Sequence, residues 1–572
     1  MTRLFAYLRG YEWRVALTLS IKTIGTFMDL LIPWALSHII DDVIPKNNIS
    51  QVYLWGLVML AFCLVAWFGN IISNRMAASV SRDATKKIRY NLFSKISYLS
   101  SRDVDRFTIP SLISRMTSDT YSVHHALGMM QRMGVRAPIL LFGGIIITML
   151  ADPVLTSVLL TLIPIVSFMT VYVSKKGAGL FKIVQNAVDA LVRAVRENAS
   201  GIRVIKALSK SEYEKKRFVE VNTDLTQKER RAETVMAFIN PAMSVMLNLG
   251  LCAVIGIGAY RVNSGKTEIG DIIAFMTYFT IILNSIMMIT RIFMNLSKAS
   301  ASASRIDEVL SCPDELSIGC SVEEDASAPA VEFKNVSFSY ENSGFKLSDI
   351  SFAVKQGETL GILGPTGSGK TSLISLLLRF YHINDGEIRI NGVNINDFTL
   401  SDLRRKFGTV LQNDTLFRDS IGENISFGRK ITEEEMLSAA QAAQADKFIS
   451  DAGGFDAEVA IKGANFSGGQ KQRLLITRAL AGNPEIFIFD DSFSALDYKT
   501  DSLLREKLRD SFGDKTKIIV TQRVSSVLSA EHILVLDNGK CAGYGTHEEL
   551  MKTCAIYRET AELQLGGESY AQ

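Results

Sequence analysis

Six apolar segments, each close to the ~20 residues needed to cross a bilayer, constrain this chain more than any other feature. They lie near 14–40, 52–81, 131–150, 154–174, 236–263 and 270–294. Separate apolar segments cross lipid only as helices, because each must satisfy its own backbone N–H and C=O groups. The connections at 41–51, 151–153 and 264–269 are short, whereas those at 82–130 and 175–235 are long, charged and patterned like helices. Lys86, Lys87, Arg89, Lys95, Arg102 and Arg106 lie in the first long loop; Lys175, Lys176, Lys182, Arg193, Arg196 and Arg203 lie in the second. Cytoplasmic loops collect such residues, which places both loops and both ends of the chain in the cytosol. The basic charge then has a topological cause, and a net charge of +3 over 572 residues gives no reason to expect a nucleic-acid partner. The first apolar segment is too long for a signal peptide and lacks a small-residue cleavage site, so it is read as a retained span.

A charged fraction of 21% beside 47% hydrophobic residues suggests membrane spans joined to an ordinary soluble part. The change of character comes at 311–328, where Ser, Cys, Pro, Glu and Asp replace the apolar runs and read as a linker. This divides the chain into 1–310, the linker 311–328, and 329–572. From Ala330 the pattern is α/β. The buried strand Leu360-Gly361-Ile362-Leu363 runs into Gly364-Pro365-Thr366-Gly367-Ser368-Gly369-Lys370-Thr371. In a loop of this spacing the backbone N–H groups cradle phosphate, the lysine reaches the β/γ oxygens, and the following hydroxyl binds Mg²⁺. Further on, Ser467-Gly468-Gly469-Gln470 opens a helix without bulky side chains, which leaves its N–H groups open to an anion. The strand from Ile486 to Phe489 delivers Asp490 and Asp491, and the turn Ser494-Ala495-Leu496-Asp497 follows. A carboxylate ending a buried strand suits Mg²⁺.

In this order, these pieces resemble the ATP-binding cassette (ABC) transporters, and across nearly the whole length the chain is similar to bacterial heterodimeric multidrug exporters of the type IV fold. The resemblance implies a half-transporter, with six helices extended into the cytosol and fused to an α/β P-loop ATPase domain, in a cell membrane. It implies ATP and Mg²⁺ as cofactors, a second half-transporter as partner, lipid around the helices and a small amphipathic or hydrophobic substrate. It assigns Tyr340 to adenine stacking, for which an aromatic face is suited. Gln412 matches the glutamine that contacts Mg²⁺ beside Thr371 and Asp490. Ser111–Asp119 and Gly201–Ala207 match the helices that dock on the ATPase domain; the alternative is a solvated helix turn.

Three departures stand out. The residue after the strand-end aspartate is usually glutamate, which polarises the attacking water; here it is Asp491, whose carboxylate is withdrawn by ~1.5 Å, one carbon–carbon bond. Where the family places a histidine on the γ-phosphate there is Gln522, which can donate a hydrogen bond but carries no charge. Ile461 stands where a glutamate is usual. The signature differs only in Phe466 for leucine. In the family each ATP site joins the phosphate loop of one chain to the signature of the other. The expectation is therefore that this chain owns a degenerate site and lends an intact signature to a partner that carries the glutamate and the histidine.

Other residues keep two readings. Lys22, Asp29 and Arg291 are charges inside spans, which are costly and face a cavity or a partner. Met236, Met243, Met246, Met276, Met287, Met288 and Met294 suit either an adaptable pocket or plain helix packing. Asp41 and Asp42 suit an external gate or a solvated helix end. The six cysteines, Cys63, Cys252, Cys312, Cys320, Cys541 and Cys554, show no metal-ligand spacing and read as free thiols.

Overall fold

The computed structural model describes residues 6–313, 324–325, 327–340, 344 and 346–565. Most of the linker expected at 311–328, including Cys320, lies outside the described residues. The other five cysteines are free thiols. The chain forms two compact units. One takes the chain up to Ser97 and again from Phe107 to Cys312; the other takes Tyr98–Arg106 and everything beyond Cys312.

Six helices of the first unit are long and apolar enough to cross a membrane. They are α1 (Glu12–Lys46), α2 (Ile49–Ser97), then, after the short α3 (Ser101–Phe107), α4 (Ile109–Ala151) and α5 (Pro153–Ser200). The short α6 (Ile202–Ala207) is followed by α7 (Ser211–Asn263) and α8 (Ile269–Leu310). At 1.5 Å per residue, the 49 residues of α2 and the 53 of α7 are more than twice the length that the ~30 Å hydrocarbon core requires. The apolar stretches thus continue as helix where the sequence becomes charged.

The first unit packs around α8, whose Phe275, Phe279, Ile282 and Ile286 are buried with Leu30, Leu140, Leu155 and Leu159. The hydroxyl of Tyr278, also buried there, donates to the Leu30 carbonyl at 2.6 Å. Met243 belongs to this core, with Met236, Met246, Met276 and Met287 packed against it, so these methionines serve helix packing. On α1 and α2 two glycines face each other. A Cβ on Gly25 would lie 3.4 Å from the Ala66 carbonyl oxygen, and one on Gly69 would lie 3.5 Å from the Gly25 Cα. Only small residues permit that approach of two backbones.

Charges inside the helices are held by other helices. Asp29 pairs with Arg136 at 3.0 Å, and Lys22 donates to Asn70 and Asn74. Asp41 closes the start of α8: its carboxylate accepts from the N–H of Gly270 at 2.7 Å and of Asp271 at 3.0 Å. A helix N-terminus has unpaired N–H groups and a positive dipole end, so this is a cap supplied from another helix. Asp152 caps its own helix through Val154 and Leu155 and binds Arg261 at 2.6 Å.

The two segments expected to dock, Ser111–Asp119 and Gly201–Ala207, both lie in the first unit. Tyr98–Arg106, with most of α3, groups with the second unit, where the Tyr381 hydroxyl donates to Asp105. Ser111–Asp119 belongs to the first unit, because its charges are already committed there. Arg115 is buried and pairs with Glu308 at 3.0 Å, and Asp119 is buried against Arg305. In α6, Ile202 and Val204 remain exposed and Ile205 is half-buried.

The second unit holds two sheets. A four-stranded antiparallel sheet has the order β2-β1-β4-β5, from β1 (Val331–Ser339), β2 (Lys346–Val354), β4 (Asp385–Ile390) and β5 (Val393–Asn394). A six-stranded sheet has the order β10-β9-β3-β8-β7-β6. Its strands are β3 (Thr359–Leu363), β6 (Phe407–Val410), β7 (Ile486–Asp490), β8 (Thr516–Thr521), β9 (His532–Asp537) and β10 (Lys540–Gly545). All its neighbours are parallel except β9 and β10. Strands β7 and β8 are buried throughout, as expected of a parallel sheet covered on both faces.

Candidate ATP site

In a parallel sheet, groups that follow the carboxyl ends of adjacent strands converge, and ligands bind there. Here β3 leads into the phosphate loop, β7 ends on Asp490, β8 runs into Gln522, and Gln412 follows β6. The result is a cleft of about 450 Å³ lined by Tyr340, Thr366, Gly367, Gly369, Lys370, Thr371, Gln412, Asp490, Asp491 and Gln522, together with Ser372 and Thr521. Residues up to 182 positions apart, from Tyr340 to Gln522, thus meet in one place.

The loop geometry depends on its glycines. A Cβ on Gly364 would lie 2.3 Å from the Leu536 carbonyl oxygen, and Gly369 has φ +107, a left-handed conformation open mainly to glycine. Gly369 directly precedes the helix α9 (Lys370–Leu377). The Lys370 ammonium donates to the carbonyls of Gly364 and Pro365 at 2.7 and 2.9 Å. Burial pushes its pKa down, while Asp490 and Asp491 act against that. An ammonium has three donors, so one remains for a ligand. Among the described residues Ser368 Oγ is buried without a partner, as a group waiting for a phosphate oxygen would be. Thr371 Oγ1 donates to Asp490 Oδ2 at 3.0 Å. The Asp490 carboxyl is raised, first by burial, with the Thr371 bond opposing; a buried carboxylate of this kind is relieved by a cation. The residues present therefore fit a nucleotide phosphate chain at Gly364–Lys370 and Mg²⁺ at Thr371, Gln412 and Asp490.

Tyr340 stands at the far side of the cleft. Its hydroxyl donates to Ser372 Oγ at 3.1 Å, and its ring packs edge-on to Phe338 and Tyr381. One face is thereby backed by aromatics. Asp491 lies just beyond β7 at φ +51, a left-handed conformation that aspartate tolerates better than most side chains. Its N–H donates to Val520 at 2.9 Å, which ties it to β8 next to Gln522.

Ser467, Gly468, Gly469, Gln470 and Asp497 do not line this cleft. Ser467 caps α10 (Gly468–Leu480) in a reciprocal box with Gln470. A Cβ on Gly469 would lie 3.3 Å from the Ala495 carbonyl, so signature and turn share one place. Asp497 in turn caps the helix that follows it. Phe466 packs edge-on to Phe448. Ile461 is 67% exposed.

Sequence reasoning missed three contributors. Ser372 follows the motif directly, and a helix start beside a tyrosine is the only signal for it. Thr521 ends a strand already in view. Gln564, in the late helix α11 (Ala555–Leu565), donates to the Gln522 carbonyl and accepts from the Val524 N–H, both at 2.8 Å. It pins the segment that presents Gln522, and no local pattern announces it.

Comparison with known proteins agrees with both units. Residues 15–286 match the family model of the ABC transporter transmembrane region, and residues 347–494 match that of the ABC transporter. An uncharacterized ABC transporter ATP-binding protein of Mycobacterium tuberculosis is 34% identical over 98% of this chain and 97% of its own length. YfiB, an uncharacterized ABC transporter ATP-binding protein of Bacillus subtilis, is 34% identical over 99% of both. The ATP-dependent lipid A-core flippase of Haemophilus ducreyi is 29% identical over 98% of this chain and 97% of its own. The solved structure of a bacterial Atm1-family ABC exporter with ATP bound superposes with a TM-score of 0.83 at 25% identity, covering 99% of this chain and 100% of that one. Matched in both regions and end to end, the chain belongs to the ABC transporter family, as a multi-pass membrane protein of the exporter fold with a cytosolic ATP-binding domain on the same polypeptide.

Proposed function

We propose that this chain is one half of a heterodimeric exporter of small amphipathic or hydrophobic compounds, and that the ATP site it owns hydrolyses poorly. The observation that carries the reading is that Asp491 and Gln522 both line the cleft, in the positions where water activation and γ-phosphate contact would be needed. A shortened carboxylate and an uncharged amide weaken both functions together. The phosphate loop, Thr371, Gln412 and Asp490 support retained binding of ATP and Mg²⁺. The signature on α10 stands apart from this cleft, which suits its use in a partner's site. Closure of two such domains on ATP would favour the outward-facing state through its preference for the closed pair, and hydrolysis in the partner's site would reset it.

The rivals are a homodimeric lipid or peptide exporter or flippase and a regulator that binds ATP without transport. Steady-state ATPase of the complex purified with its partner separates them. Ser467→Trp should lower activity by roughly 10²–10³, the cost of losing a preorganised donor set. Asp491→Ala should lower it less than about tenfold, since this site contributes little turnover. If Asp491→Ala abolishes activity as completely as the matching change in the partner, the degenerate-site reading fails. Absence of substrate-stimulated ATPase and of vectorial transport in liposomes would favour the regulator.

A further inference from the structure

Gln522 reaches the cleft from just past the end of β8, so its direction is set by the backbone on either side of it. Before it, Thr521 ends the strand in register with Leu363 of β3. After it, a short 3₁₀ turn runs over Val524–Ser526. Gln522 and Arg523 lie between strand and turn, and Arg523 is extended, at φ -99 and ψ 121. The helical region is open to a residue of this kind. With both ends of the segment anchored, a rotation at Arg523 must be compensated at Gln522, which would turn the Gln522 side chain.

The groups that resist this rotation come from elsewhere in the chain. Gln564 on α11 donates from Nε2 to the Gln522 carbonyl and accepts at Oε1 from the Val524 N–H, each at 2.8 Å. A side-chain amide carries donor and acceptor on one planar group, so the two bonds fix each other's direction. They span Arg523 as one residue of a parallel neighbouring strand would, and they hold it extended past the point where β8 stops. The helix α11 is itself anchored. Tyr557 and Ala561 are fully buried in the core that also contains Val524 and Val527, and the Tyr557 hydroxyl lies 2.7 Å from His547 Nδ1. Positions 557, 561 and 564 share one helix face. At the far end of the segment, Arg505 donates to the Ser526 carbonyl at 2.6 Å.

Gln564 is exposed as a residue and does not line the cleft. Hydrogen bonds in contact with water add little to global stability. Its loss would therefore leave the fold and the phosphate loop in place and release the Gln522–Arg523 backbone. We propose that Gln564 is a positioning residue for nucleotide recognition. By holding Gln522 and Val524 on one amide it aims Gln522 at the terminal phosphate, and so sets the preference of this site for a nucleoside triphosphate over a diphosphate. The proposal rests on the reading of Gln522 as the contact to the γ-phosphate.

The test compares equilibrium binding of Mg²⁺ with the non-hydrolysable analogue AMP-PNP and of Mg²⁺–ADP to the full chain in nanodiscs. The phosphate-loop lysine of any co-purified partner is replaced, so that every competent loop in the sample is this one. Gln564→Ala should lower the preference for the triphosphate by about fivefold, the worth of one neutral hydrogen bond. The affinity for ADP should change by no more than about twofold. Gln564→Glu keeps the acceptor for Val524 and loses the donor to Gln522, and should lower the preference to a similar extent. In a Gln522→Ala background Gln564→Ala should have no further effect, because it acts through that side chain. Equal weakening of both nucleotides, or an undiminished effect in the Gln522→Ala background, would show a structural role alone and overturn the inference. A preference lowered by Gln522→Ala but untouched by Gln564→Ala would overturn it too, with the reading of Gln522 intact. A preference untouched by Gln522→Ala would overturn that reading, and the inference with it.

Discussion

Two lysines in this molecule make the same number of hydrogen bonds in opposite ways. Lys370 rests on the backbone carbonyls of Gly364 and Pro365, six and five residues before it. Lys22 rests on side-chain carbonyls 48 and 52 residues away, on another helix. In the first case the chain's local turn supplies the acceptors, and substitution of neighbours leaves them in place. In the second, tertiary packing supplies them, and a single substitution removes one. The first ammonium opens on a cleft; the second is sealed among helices, where desolvation is most costly. A functional charge can thus be held by sequence-local backbone or by assembled side chains, and the two differ in how they break.

The largest effect expected is at the loop. Lys370→Ala should weaken binding of Mg²⁺–ATP to the isolated complex by roughly 10²-fold or more, since it removes a charge-assisted contact in a partly desolvated site; equilibrium binding of a fluorescent analogue measures it. Unchanged affinity would mean that the loop amides alone hold the phosphates. Next is Asn70→Leu, which strips an acceptor from a buried ammonium. It should lower stability by about 1–3 kcal/mol, read as the thermal unfolding midpoint in nanodiscs. A neutral outcome would show that water reaches Lys22 and would collapse the contrast. Gln564→Ala should cost about 1 kcal/mol or less at the segment around Gln522, seen as faster amide exchange at Gln522–Val524 while Lys370-dependent binding is kept. Smallest is Pro365→Ala, which keeps the carbonyl that Lys370 uses and should change nucleotide affinity by no more than about two- to threefold. A large loss there would mean that the proline ring, not its carbonyl, sets the loop.

The same contrast explains what could be read from the sequence. The phosphate loop and Asp490 could be placed because each follows or ends a short apolar strand, and strand ends converge in a parallel sheet; Gln412, Asp491 and Gln522 were placed by the resemblance to the family's motifs. The six spans were legible because lipid imposes length and composition. The partners of Lys22 were not legible, because nothing in the neighbourhood of residue 22 specifies which helix will lie against it. The partners of Ser111–Asp119 were hidden for a related reason. Ser111–Asp119 has the composition of a docking helix, but Arg305 and Glu308, far along the chain, occupy its charges. Asp105 instead meets Tyr381, 276 residues away. Gln564 belongs to the same class: its partners are carbonyl and amide groups, which every residue possesses.

The cap that Asp41 places on α8 has a consequence for biogenesis. A chain is synthesised from its N-terminus, so α1 enters the membrane first and α8 last. Asp41 cannot meet Gly270 and Asp271 until the ribosome has passed residues 229 and 230 positions further on. Throughout that interval the carboxylate must stay in contact with water, because a bare charge in hydrocarbon is costly. The outer end of the first helix, the first span to be made, thus waits for a cap partner on the last span to be made.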